Sequence, residues 1–257
     1  MIAFVGSLIA VSFTFENASA AADDERFDLA AALDNAEGGD VILMDSDAVL
    51  SRDATVKPGV KLDDGGFAIS IETYAKLSVS GEFVSSGNLT VDFRGSVSVT
   101  SDGVMSIDNK GNAAIVTGSL EIYKDGVIRI GMHESSTLEC PANGRLMVEG
   151  TMILGYGTLN SSVDVRTATV TGTLQISDGS SFRVTDSLTV GSAPTLITDM
   201  KNTASVTGKV TLADSAYVLV YGESSFGSGN IKYRAVSTQF ILNGIYATEY
   251  KDNTGKR

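Results

Sequence analysis

The chain has 257 residues, 43% hydrophobic and 19% charged, with 27 glycines, 3 prolines, no tryptophan and a formal net charge of −12. That length supports one large all-β domain or two smaller ones, and the acidic excess argues against nucleic acid or anionic lipid as a partner, because both carry negative charge. The lone cysteine, Cys140, excludes an intrachain disulfide framework and reads as a small apolar filler.

Ile2 to Phe15 is an apolar run, followed by Ala18-Ser19-Ala20 and more alanine. An apolar core before a small-x-small site resembles a secretory signal peptide. The run is shorter than the ~20 residues that span a bilayer. Residues 1–22 are therefore expected to be a signal peptide cut after Ala20 or Ala22, or a short hydrophobic anchor. No basic residue precedes Arg26.

Residues 23–70 read as an N-terminal cap and first coil. Phe27, Leu29, Ala30, Ala31, Leu33 and Ala36 carry a helical period. Asp23, Asp24 and Glu25 stand where the helix dipole favours anions, and Gly38-Gly39 ends the pattern. Val41-Ile42-Leu43-Met44 is expected to be a buried strand. Asp53 to Val56, then Pro58-Gly59 and Val60-Lys61-Leu62, lead to a turn at Asp63-Asp64-Gly65-Gly66.

The stretch DLAAALDNAEGGDVILMDSDAVLSRDATVKPGVKLDDGG resembles the start of right-handed parallel β-helices of the pectin-lyase-like kind. In that family a helix of the form LxxALxxAxxGDxIxL closes the open end of the solenoid, and a V-x-P-G-V-x-L phrase begins the first coil. The resemblance covers about forty residues and implies a fold, not an activity. A capping helix also makes physical sense, because the first coil would otherwise expose an apolar cross-section and unpaired strand edges.

Residues 71–220 repeat one phrase, V-x-G-x-[LVFM]-x-[VIL], around Gly81, Gly95, Gly118, Gly150, Gly172 and Gly208, with Ser136 and Asp186 in the glycine slot of weaker copies. Alternation of period two argues for strands, and self-similarity at tens of residues for a repeat architecture. The spacing of the anchors predicts a unit of about 36 residues divided into 14 and 22, with Gly81, Gly118, Gly172 and Gly208 filed along one axis. Asp102-Gly103, Asp125-Gly126, Asn143-Gly144 and Asp178-Gly179 are expected at corners. The expected fold is all-β: a single-stranded parallel β-helix, or β-solenoid, with a short N-terminal capping helix. An antiparallel sandwich is the rival, since Asp-Gly is also a hairpin signal.

Residues 221–257 read as a C-terminal cap or the start of a further module. Aromatic residues gather from Tyr217 onward, Asn243-Gly244 suggests a hairpin, and the tail is polar.

Catalytic signatures are weak. Hydrolases of the pectin-lyase-like kind carry paired aspartates and a Gly-His-Gly phrase, whereas the one histidine here, His133, sits in GMHES. Arg129-Ile130-Gly131 lacks the lysine of an Arg-Ile-Lys phrase. Asp108-Asn109-Lys110-Gly111-Asn112 lacks the closing glutamate of a calcium loop and reads as an ordinary turn. Sequons occur at Asn88 and Asn160. No catalytic residue, cofactor site or metal site is assigned, and the six repeat glycines are read as structural.

The sequence thus favours an exported, non-catalytic, secreted or cell-surface solenoid, adhesin-like or a structural stalk and binding module. Its partners would be surface glycans or host or partner-cell proteins. Membrane contact would come only through an uncleaved N-terminal segment. The alternative is a polysaccharide-active lyase or glycoside hydrolase of the pectin-lyase-like group. Several carboxylates, or carboxylates with arginine, converging on one solvent cleft would favour it, with Asp102, Asp108, Asp125, Arg129, His133 and Glu134 the first to inspect.

Overall fold

Alternation of inward aliphatic and outward polar residues dictates the architecture. In the computed structural model every assigned strand pair runs parallel, and the strands stack into a β-solenoid. The structure describes residues 26–155, 160–176 and 180–190, and beyond them the backbone of seven strands between residues 195 and 243. Side chains are described through residue 189, Ala142 excepted. The expected leader, Gly208, Asp178-Gly179 and the polar tail lie outside the described residues.

Each coil contributes three short strands. The first face is a ladder of ten strands, from Val41–Leu43 through Lys61–Asp63, Glu82–Ser85 and Val104–Ile107 to Gln239–Asn243. The second face begins with Ala48–Leu50, Ile69–Ile71, Leu89–Val91 and Ala114–Val116. The third begins with Ala54–Val56, Lys76–Val79, Ser96–Val99 and Ser119–Ile122. In Thr137–Val148, Ser162–Val170 and Ser181–Val190 one strand runs across the second and third faces, with a register shift at the bend.

Inward positions form continuous columns. Leu62, Phe83, Met105, Ile128, Met152 and Leu174 fill one, and Val56, Val79, Val99, Ile122, Val148 and Val170 another; all are buried. Cys140, paired in register with Val165, is one more aliphatic-sized filler, and burial pushes its thiol up to about 12.

The coil length is not the 36 residues expected from the glycine phrase. Val41 pairs with Lys61, twenty residues on, and Val127 pairs with Thr151, twenty-four on. The phrase marks two different corners of the same coil, which is why its spacing alternates. Gly81, Gly150 and Gly172 precede first-face strands, whereas Gly95 and Gly118 precede third-face strands. The glycines therefore stand in two files rather than one. Close approach explains both. A Cβ on Gly118 would lie 2.0 Å from the Gly95 carbonyl oxygen, and one on Gly172 would lie 2.1 Å from that of Gly150.

The helix spans Leu29–Asn35 and buries Leu29, Ala30 and Leu33 against the end of the core. Its N-cap is Asp28, whose carboxylate accepts from the Ala31 N–H at 2.9 Å; residues 23–25 lie outside the described chain. Lys57 closes the other end by donating to the carbonyl oxygens of Asp34 and Ala36. Of the stretch expected to be buried, Val41 and Leu43 are 66% and 63% exposed, because alternation turns Ile42 and Met44 toward the core instead; Met44 is buried there. At the far end, Tyr217–Tyr221 pairs in parallel with Gln239–Asn243, so the ladder runs through the region read as a cap.

Candidate functional site

Two places gather side chains with chemistry. The first is the corner between the first and second faces. Strand Val104–Ile107 delivers Asp108 to it, and Val127–Ile130, one coil on, delivers the loop at residues 131–136. The Asp108 carboxylate accepts from the backbone N–H groups of Met132 at 2.8 Å and His133 at 2.9 Å, and its second oxygen lies 2.9 Å from His133 Nδ1. Burial pushes the Asp108 carboxyl up, but the hydrogen bonds from His133 and Glu134 outweigh it and hold the group below its ordinary value. Beside it Lys110 pairs with Glu134 at 3.1 Å. Asn109 is buried and exchanges two bonds with the backbone of Thr137, at 3.0 Å each. These contacts lock one coil to the next; the His133 side chain itself is 84% exposed.

The second place is a groove of about 590 Å³ at the bend between the second and third faces, lined by Glu139, Cys140, Pro141, Asp164, Arg166, Thr185 and Asp186. Corner length creates it. Residues 141–144 separate the paired positions Cys140 and Arg145, but only Arg166 separates Val165 from Thr167 in the next coil. A wide corner beside a tight one leaves a notch. Arg166 lies 3.4 Å from Asp186, and Arg183 lies 3.3 Å from Asp164, all half-exposed. Such pairs contribute little to stability.

The structure separates the six residues expected to converge in the catalytic alternative. Asp102 and Asp125 turn the corner ahead of the first face, each with positive φ (63° and 66°). Arg129 points outward from the first face, in register with Ser106. Only Asp108, His133 and Glu134 meet. Of the groove carboxylates, sequence singled out Asp186 only as a stand-in for a repeat glycine and passed over Glu139 and Asp164, because their neighbourhood depends on a pairing register roughly one coil apart. The turn at Asp108 to Asn112 is closed by Asn112 N–H to the Asn109 carbonyl at 2.7 Å, with Gly111 at φ 75°. Among the described residues no group of three or more His, Cys, Asp or Glu is placed to hold a metal ion. No described helix is long and apolar enough to cross a membrane.

Fold and corners together define a parallel β-solenoid with acidic, loop-built corners. Comparison with family models, with curated proteins and with solved structures finds no match.

Proposed function

We propose that the chain is an exported, non-catalytic β-solenoid of the cell surface, serving as an adhesin-like stalk and binding module. The observation that supports it is the ten-strand ladder, whose described coils share one aliphatic core while their corners are free to vary. A rod of that kind holds binding groups at fixed spacing away from its base. Continuous strand pairing and short turns also leave a protease few openings. The acidic surface keeps such a rod soluble and unattached to anionic lipid. The test is labelling of intact source cells with an antibody raised against the chain. Surface labelling that protease shaving removes is expected; antigen confined to the cytosolic fraction would overturn the reading.

The groove beside Cys140 favours a second reading, a polysaccharide-active enzyme of the pectin-lyase-like group. Three carboxylates and an arginine line it, which is the arrangement such chemistry starts from. Reducing-end and unsaturated-product assays on polygalacturonate and alginate test it. Turnover lost in Asp164→Asn would establish this reading, and absence of turnover in the parent would remove it.

A further inference from the structure

One turn recurs around the solenoid. Four residues reverse the chain, the fourth N–H donates to the first carbonyl, and the third residue sits at positive φ. The third position holds glycine at Gly39, Gly59, Gly66 and Gly111, and aspartate at Asp102 and Asp125. Both residue types tolerate the left-handed region. Among the described residues two turns break the pattern, with Tyr74 at φ 69° and Arg94 at φ 67°. A large side chain there strains the backbone, and strain of this kind collects at functional positions.

Packing does not repay it. Tyr74 is 68% exposed, its neighbour in the cluster Phe93 is 49% exposed, and Arg94 is exposed as well. The three instead hold one another. The Arg94 guanidinium carbon lies 5.4 Å from the centre of the Tyr74 ring and 5.1 Å from that of Phe93, and the guanidinium donates to the Tyr74 hydroxyl. Lys76 and Ser96, which follow the two turns, pair in register, so the cluster spans two successive rungs, ~4.8 Å apart.

We propose that Tyr74, Phe93 and Arg94 form a binding site for a neutral glycan chain. Each ring offers a flat apolar surface to the C–H face of a sugar, and the remaining guanidinium N–H groups donate to its hydroxyls. Exposed Glu72 and Asp92 begin the same two turns, and with the chain's overall charge they disfavour an acidic sugar. Arg94 disfavours a cation. Two exposed rings offer far less than the ~1,000 Å² a stable protein interface requires. Rigid arrangement by the turns and by the guanidinium between the rings limits the ordering cost of binding.

The proposal rests on the chain being a binding module, and its test is separate from cell labelling. The full chain is titrated calorimetrically with cellohexaose, mannohexaose and chitohexaose, with hexagalacturonate as the charged control. Binding of at least one neutral hexasaccharide is expected, weakened about tenfold or more by Phe93→Ala and by Tyr74→Asn. Tyr74→Asn should leave the melting temperature unchanged or raise it, because asparagine accepts the left-handed turn; a merely structural tyrosine would lower it. Failure of all three neutral sugars to bind, a preference for hexagalacturonate, or variants within about twofold of the parent would each overturn the site. A surface-labelled chain that binds none of the sugars leaves the stalk standing and removes this site alone.

Discussion

The Asp64 carboxylate is fully buried and accepts from the backbone N–H groups of Gly66, Ser86 and Gly87 and from the Ser86 hydroxyl at 2.7 Å. It closes its own turn and ties it to the next coil. On the next coil, in register with buried Ile107, the Ser85 hydroxyl is buried with no hydrogen-bond partner. Physical cost falls on opposite sides in the two cases. Asp64→Ala strands three backbone donors and should lower unfolding free energy by about 3 kcal/mol or more, whereas Ser85→Ala removes an unmet group and should raise it by about 1 kcal/mol. Denaturant melts of the two variants check both signs. Asp108 supplies a pH dependence. Its carboxyl is held below the ordinary 3.8, so its contribution is complete above that value and is lost as pH falls through the lower folded-state value. Asp108→Asn should therefore flatten the fall in melting temperature below about pH 4. At this scale the sequence was half legible. Asp63-Asp64-Gly65-Gly66 announced a turn by its composition, and the structure has one there. That Asp64 also serves Ser86, or that Asp108 meets His133, depends on partners about one coil downstream, and no local signal carries that register.

Corners and cap decide the elements. Gly118 sits where a Cβ would strike the Gly95 carbonyl at 2.0 Å, against backbone that cannot swing aside. Gly118→Ala should cost about 2–4 kcal/mol, while Ser119→Ala, one residue on and half-exposed, should change stability little. Thermal melts of the pair distinguish close approach from generic corner sensitivity. The helix is held by its buried Leu29 and Leu33, by Asp28 at its start and by Lys57 at its end. Leu33→Ala should cost about 2–4 kcal/mol locally and speed amide exchange in Ala48–Leu50 and Ala54–Val56, with residues beyond the third coil unaffected. The 3.6-residue period revealed this helix from sequence. Its start is set by Asp28, which caps it, while Asp23, Asp24 and Glu25 lie outside the described residues. Val41 to Met44 misled for another reason: four apolar residues in a row carry no alternation, so sequence cannot tell which of them face inward.

Over the whole molecule, parallel stacking was legible because the same phrase returned with its alternation intact. The coil length was not, because one phrase serves two corners, and only pairing shows which copies lie above one another. The continuous columns, from Leu62 to Leu174 on one face and from Val56 to Val170 on another, are what make the chain a rod. Thr55, Ser78, Ser98, Glu121, Met147, Thr169 and Thr189 alternate with the core column on seven successive rungs of the third face, and all but the covered Ser98 are at least partly exposed. Their separation therefore tests the stacking without disturbing the core. Spin labels at Thr55 paired with Glu121, Thr169 or Thr189, in a Cys140→Val background, should give distances that grow by ~4.8 Å per rung, to about 14, 24 and 29 Å before label length is added. Distances that fail to increase in that order, or that place Thr189 as near to Thr55 as Glu121 is, would contradict the ladder.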